Sequence, residues 1–229
     1  MRPLVDADHK LFANRTAAGK ELAEKLAPFV VPGALVLGLP RGGVPIGYEI
    51  ATRYGLPLDT LVARKIGTPY NTELSVGALA PGGVVIVNDA ALYALRLRRS
   101  EIGPIVEKES MEMEARIERY HSGEYSADMD PSLIIIADDG LATGMTARAA
   151  VESVRRKYGK TKIIFAAPIC SRQSCMLLRA IADEVMVTCE VQHLGAIGYW
   201  YHDFTQLTDE EVIGYLRKAN RASQLRQQR

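Results

Sequence analysis

Nine consecutive residues concentrate the groups that could do chemistry: Asp138-Asp139-Gly140-Leu141-Ala142-Thr143-Gly144-Met145-Thr146. They follow the aliphatic run 133–137 and precede a stretch with helical periodicity, so they sit where a strand hands over to a helix. There, Gly140 and Gly144 let the backbone turn its amides inward, and Thr143 and Thr146 add hydroxyl donors. The following helix contributes its positive N-terminal end. This is an anion cradle suited to a phosphate. The two acids ask for a different partner. Neighbours on a strand point to opposite faces, so Asp138 and Asp139 are poorly placed to share one proton. They suit ribose hydroxyls and a hydrated Mg²⁺ ion instead. Phosphate donors beside a diol-and-metal site describe a sugar phosphate. Met145 stands where a P-loop needs lysine, and the glycine spacing is not that of a dinucleotide fold. A helix cap alone would account for Gly144 or Thr146, but not for two acids after an aliphatic run together with two threonines.

The elements that must hold this loop are legible from apolar periodicity. Helices are expected over 11–29, 44–54, 146–158, 173–182 and 208–219. Strands are expected over 34–38, 58–63, 84–88, 133–137, 162–167 and 184–188. Long charged helical material over 90–120, interrupted near Gly103-Pro104, is followed by a turn-rich segment to residue 132. Aliphatic strands alternating with helices predict an α/β, doubly wound, mostly parallel sheet with a helical insertion or hood. One domain is expected over 1–216, with the insertion at about 90–130 and a basic C-terminal tail, solvated and frayed, over 217–229.

Composition excludes several classes. The 229 residues are 48% hydrophobic and 24% charged with net charge +1. That is core enough for a large domain and too balanced for disorder. The longest aliphatic runs, 133–136 and 84–87, fall far short of the ~20 residues a membrane-crossing helix needs. No apolar stretch within residues 1–10 reads as a secretory signal, so a cytoplasmic location is expected. Near-zero net charge argues against a dedicated nucleic-acid binder. Cys170, Cys175 and Cys189, without a CxxC, are expected to be reduced. His121, His193 and His202 are too scattered for a metal triad.

The segment 134–146, IIIADDGLATGMT, resembles the ribose-phosphate signature of the type I phosphoribosyltransferases, most of all the adenine type, whose loop also reads ATG. Across residues 35–80 and 133–205 the chain is similar to a bacterial group of this family with unassigned base specificity. The resemblance implies phosphoribosyl pyrophosphate as donor. Its 5′-phosphate would lie on Gly140, Leu141, Ala142, Thr143, Gly144, Met145 and Thr146, with Asp138 and Asp139 at the ribose and at Mg²⁺. Leu39-Pro40-Arg41-Gly42-Gly43 resembles the family's pyrophosphate loop, and Arg64-Lys65 the basic segment that reaches the same leaving group. Residues 69–73 would begin a mobile catalytic loop.

Ala142 stands where the hypoxanthine–guanine enzymes carry a carboxylate, which argues against a simple 6-oxopurine enzyme. Glu73 is a substitute candidate, with a solvent-facing glutamate the competing reading. The base pocket should come from residues 193–204, whose Tyr199, Trp200 and Tyr201 read as stacking faces or as a core or dimer contact. The resemblance thus implies a Mg²⁺-dependent transferase of nucleotide salvage, homodimeric, joining a small nitrogenous base to the donor. Two alternatives use the same cradle: a donor-sensing regulator without turnover, and a hydrolase or phosphorylase of a phosphorylated ribose.

Overall fold

The computed structural model describes residues 11–72, 74–120 and 130–227. Along the chain the elements are α1 (Arg15–Leu26), β1 (Ala34–Gly38), α2 (Gly43–Tyr54), β2 (Leu58–Thr60), β3 (Arg64–Ile66), β4 (Gly77–Ala80), β5 (Val84–Val87), α3 (Asp89–Ala94) and α4 (Arg99–Tyr120). Then come β6 (Leu133–Ala137), α5 (Met145–Tyr158), β7 (Lys162–Ser171), α6 (Arg172–Arg179), β8 (Glu184–Val191), a 3₁₀ turn at Ile197–Trp200, and α7 (Asp209–Gln227).

Five strands form one parallel sheet in the order β2-β1-β6-β7-β8. Both faces are covered, because alternate residues of each strand enter two separate cores. Val36, Ile135 and Ile164 pack with α1, α2 and α7 residues such as Leu22, Ile46 and Val212. Leu35, Ile134, Ile136 and Phe165 pack with Val151, Val154 and Leu178 of α5 and α6. The unbroken aliphatic run of β6, buried at every position, is the signature of a strand with no wet face. The doubly wound expectation holds, and it brings a consequence. The chain leaves β1 toward β2 on one side and takes up β6 on the other, so the loops after β1 and β6 flank a topological switch point, where open α/β sheets bind ligands.

The described part of the expected insertion at about 90–130 is helical, as α3 and α4, but a small sheet precedes it in the hood. β3, β4 and β5 form an antiparallel sheet of their own, so the run at 84–88 is a strand outside the main sheet. Its Ala78, Ala80 and Val84 pack on Ala149 of α5, with Met145 at the margin. The helical break also moves. α4 runs through Gly103-Pro104 without ending, although Pro104, its sixth residue, gives up a backbone bond there. The chain turns instead at 95–98, where Arg96 adopts φ 55°. Among the described residues no helix is long and apolar enough to cross a membrane.

Two further expectations change. The basic segment after 216 enters α7, which reaches Gln227. Asn220 bonds both backbone groups of Leu58, at 3.1 and 3.0 Å, and the Ser223 hydroxyl lies 3.3 Å from Gly55 O. Cys170 and Cys175, expected as separate reduced groups, are joined through sulfur with Cα atoms 6.2 Å apart. The sharp cap at Ser171, which starts α6, folds one back on the other.

One exposed tie joins α5 to the sheet. The Asp183 carboxylate accepts from Arg155 and from Ile163 N–H, both at 2.8 Å. Burial works to raise its pKa, but these donors outweigh it and hold the carboxyl below 3.8. A depressed folded-state pKa gives stability that is present above the unfolded value and lost as pH falls through the folded one. Asp183→Asn is therefore expected to cost about 1 kcal/mol near neutral pH, a hydrogen-bonded charge discounted for partial exposure. The gap between variant and wild type should narrow below about pH 4, as measured by urea unfolding across pH.

Candidate functional site

The β6 strand ends at Ala137 because its neighbours rearrange there. β7 continues past Pro168 to Ser171, longer than the expected 162–167. Its register with β6 ends at Ala137↔Ala166, so the missing N–H of Pro168 comes after that pairing has ended. This extension carries the loop. Leu141 N–H bonds Ile169 O at 2.9 Å, and Ser171 N–H bonds Leu141 O at 3.1 Å. The Ser174 hydroxyl donates to Ala142 O at 2.6 Å, with the Ser171 hydroxyl 3.1 Å from the same oxygen. Sequence reasoning singles out neither serine. Their signal is weak, because a Ser-x-x-Ser pair at a helix start reads as a cap.

Past Ala142 the backbone is open. Gly144 holds φ 74° and caps α5. The first bond into the helix is Arg148 N–H to Gly144 O, at 2.8 Å. The amides of Ala142 to Ala147 thus have no protein partner among the described residues, as the first turn of a helix requires. Thr143 is exposed and Thr146 half-buried beside them. The stretch expected as a phosphate cradle thus presents open amides beside two threonines. Leu141 departs from it, since its amide is bonded within the protein.

The two acids are not equivalent. Asp139 is buried. Its Oδ2 accepts Arg15 Nε at 2.8 Å, and its main-chain carbonyl accepts the Tyr201 hydroxyl at 2.6 Å. Asp138 is half-buried, and its Oδ1 accepts the Asp139 amide at 2.9 Å. Burial first, and the charge of Asp139 second, push the Asp138 carboxyl well above the ordinary range, against the fields of Arg15 and Lys65. Burial and the same acid also raise the Tyr201 phenol, which stays a donor.

The loop after β1 presses on this pair. A Cβ at Gly42 would lie 1.8 Å from Asp139 Oδ2, and one at Gly43 would lie 2.2 Å from Ala137 O. Only glycine fits at either position. Gly43 N–H bonds Leu39 O at 2.9 Å, so the amides of this turn without a partner among the described residues are those of Arg41 and Gly42. Arg41 itself is exposed.

Arg64 and Lys65 separate, as neighbours on a strand must. Lys65 is exposed, and its field reaches Asp138. Arg64 turns to α4, where Glu109 pairs with it at 2.5 Å and Glu112 at 3.5 Å. It braces the hood instead of joining the basic cluster. Glu73 and His121 lie outside the described residues. In the segment 193–204, Trp200 and Tyr201 are buried, and Trp200 Nε1 donates to Leu194 O at 2.8 Å. These two rings are core. Tyr199 is 73% exposed beside Gly195 and is the aromatic left facing outward.

Among the described residues no three His, Cys, Asp or Glu side chains gather as a metal cage. A carboxylate pair is the donor set of a Mg²⁺ ion that keeps waters and is completed by substrate phosphates. Asp138 and Asp139 fit that kind of ion.

Residues 12–199 match the model of the phosphoribosyl transferase domain. A provisionally named phosphoribosyl transferase of Mycobacterium tuberculosis, found in strains CDC 1551 and H37Rv, is 38% identical over 212 residues, 93% of this chain. The chain spans about half the length of these curated relatives, 48%. The crystal structure of the protein TT1426 from Thermus thermophilus is similar with a TM-score of 0.73 and 36% identity, over 91% of this chain and 98% of that one.

The contact between the two loops is testable without a ligand. In Gly42→Ala the new methyl meets an oxygen that Arg15 already holds, so the clash has no cheap relief. A loss of about 2 kcal/mol is expected in denaturant unfolding. Gly103→Ala, in open space on α4, should instead gain up to about 1 kcal/mol.

Proposed function

The chain belongs to the phosphoribosyl transferase domain family, and on that premise we propose a transfer of the 5-phosphoribosyl group. The donor is phosphoribosyl pyrophosphate, the acceptor a nitrogenous base, and the released product pyrophosphate. A homodimer working in cytoplasmic nucleotide salvage goes with that reading. The observation that carries it is the meeting of two partnerless amide turns across one acidic pair. Amides of 142–147 suit a terminal phosphate, those of Arg41 and Gly42 suit a second anion, and Asp138 and Asp139 stand between them. A ligand with a phosphate at each end of a polyol matches that spacing of chemistry.

In the reaction the base nitrogen forms a bond to ribose C1, while the bond from C1 to the pyrophosphate oxygen breaks and its electron pair leaves with pyrophosphate. Mg²⁺, bound with the donor, would neutralise part of the leaving group's charge. The chain's own residues orient and stabilise. Ala142 to Thr146 hold the 5′-phosphate through amides and hydroxyls. Asp138 and Asp139 hold the ribose hydroxyls and the metal waters. Arg41, the Arg41 and Gly42 amides, and Lys65 receive the charge that develops on pyrophosphate. Two anchors are needed. Micromolar binding asks for about 8 kcal/mol, and one charged hydrogen bond gives ~1.5–3 before association costs.

The test is mass spectrometry of the protein with Mg²⁺, the donor and a pool of purines, pyrimidines and related heterocycles. A new nucleotide with equimolar pyrophosphate is expected. Intact donor bound by folded protein would favour the sensor, and ribose phosphate without nucleotide would favour hydrolysis. Asp138→Asn and Asp139→Asn should each weaken Mg²⁺-dependent donor binding about tenfold or more, with the fold retained by circular dichroism. Lys65→Ala should lower turnover about a hundredfold, as for a lost oxyanion donor, while its unfolding midpoint stays near wild type because the side chain is exposed.

A further inference from the structure

α1 packs on α2 in the core around Leu22 and Ile46, yet its first residue does something else. Arg15 reaches across 124 positions of sequence to Asp139 with Nε at 2.8 Å from Oδ2, both side chains nearly buried. It is itself fixed from three directions. Its Nη1 donates to Thr205 O at 2.9 Å, its guanidinium carbon lies 3.8 Å from the centre of the Phe204 ring, and Asn14 caps its helix by accepting Ala17 N–H. A guanidinium has five donors in a rigid fork, so it can serve a carboxylate, a carbonyl and a ring at once.

The backbone around it is paired in the same way. Leu11 and Phe12 N–H donate to Trp200 O, and His202 and Asp203 N–H donate to Phe12 O and Ala13 O, at 2.9 to 3.1 Å. Tyr201, between the rings of Phe12 and Phe204 at 5.3 and 5.0 Å, sends its hydroxyl to the carbonyl of Asp139. Residues 11–15 and 200–205 are thus one clamp with two contacts on one aspartate. Gly42 closes in on the same oxygen, since a Cβ there would lie 1.8 Å from Asp139 Oδ2. Oδ2 is committed to Arg15 and Asp138 Oδ1 to the Asp139 amide, which leaves Asp139 Oδ1 and Asp138 Oδ2 as the oxygens facing other partners among the described residues.

We propose that Arg15 is a positioning residue of the donor site, acting through Asp139 and held by segment 200–205. The first helix is then part of the site and not only of the core. The inference rests on the reading of loop 138–146 as a donor site.

The experiment is calorimetric titration of phosphoribosyl pyrophosphate with Mg²⁺ into the full chain and five variants: Arg15→Gln, Arg15→Lys, Asp139→Asn, Arg15→Gln with Asp139→Asn, and Tyr201→Phe. Arg15→Gln is expected to weaken binding about tenfold, and Arg15→Lys to recover part of it, since a lysine can pair with Asp139 but cannot also span to Thr205. The double variant should bind like Asp139→Asn alone, because a residue that acts through Asp139 has nothing left to act on. Tyr201→Phe removes one hydroxyl without opening the core and should weaken binding about threefold. It keeps the inference testable if Arg15→Gln unfolds. Unchanged affinity in Arg15→Gln or Tyr201→Phe would overturn the clamp, as would effects of Arg15→Gln and Asp139→Asn that multiply in full. A wild-type protein that binds no donor would instead sink the functional reading, and the clamp's role with it.

Discussion

A carboxylate taken out of water must be matched by its neighbours, and the site is organised around one that is held in this way. Asp139 has a guanidinium on one carboxylate oxygen, bare glycine backbone against that same oxygen, and a phenol on its main-chain carbonyl. Removing water from an ion costs several kcal/mol, and the return depends on geometry. The surroundings are therefore fixed within narrow limits. Gly42 has to be glycine, α1 has to begin where it does, and segment 200–205 has to return beside the N-terminal strand-like residues. Three distant parts of the chain converge on this one side chain.

The loop beyond it is held by a different means. Its amides stay open because the loop is fastened from behind, through Leu141 to the extension of β7 and through Ala142 O to Ser174. Such anchoring lets the backbone be rigid while its N–H groups remain without partners, which is the condition for pre-organised anion binding. The small antiparallel sheet completes the frame. It packs on α5 next to Met145, and Arg64 fastens it to α4 through Glu109. Lys65, on the opposite face of the same strand, is thereby steered toward the acids. A pair that reads as one basic motif divides into a brace and an exposed cation.

How much of this was legible follows from the range of the signals. The parallel sheet, the cradle and the acids were readable because each is local: aliphatic runs, glycine spacing, a strand-to-helix junction. The antiparallel hood was missed because β3 and β4 are three and four residues long, too short for periodicity to register. Gly103-Pro104 misled because a proline inside a helix costs a bond without always ending the helix, and α4 continues through it. The clamp was invisible. Arg15 lies in an ordinary amphipathic helix, and nothing local distinguishes an arginine that will meet Asp139 from one that faces water. The sequence match over 134–146 carried the family, whereas the structure carried the inequality of the two acids.

The same contrast explains why the donor end of the proposed reaction is better defined than the acceptor end. Phosphate binding uses backbone amides, and these are specified by glycines and helix starts that any reading of the chain can find. Base recognition uses side-chain edges, and here the two most conspicuous rings face inward. Trp200 gives its N–H to Leu194 and Tyr201 gives its hydroxyl to Asp139. An aromatic residue whose polar edge is satisfied inside the protein has no edge left to read a heterocycle. Among the described aromatic residues of this segment, Tyr199 beside the turn at Gly195 is the one left exposed. It offers a ring face and a phenol hydroxyl beside a glycine with φ 63°. Rejecting a wrong base strongly requires buried polar groups that the wrong base would leave unpaired, and an exposed side chain supplies none.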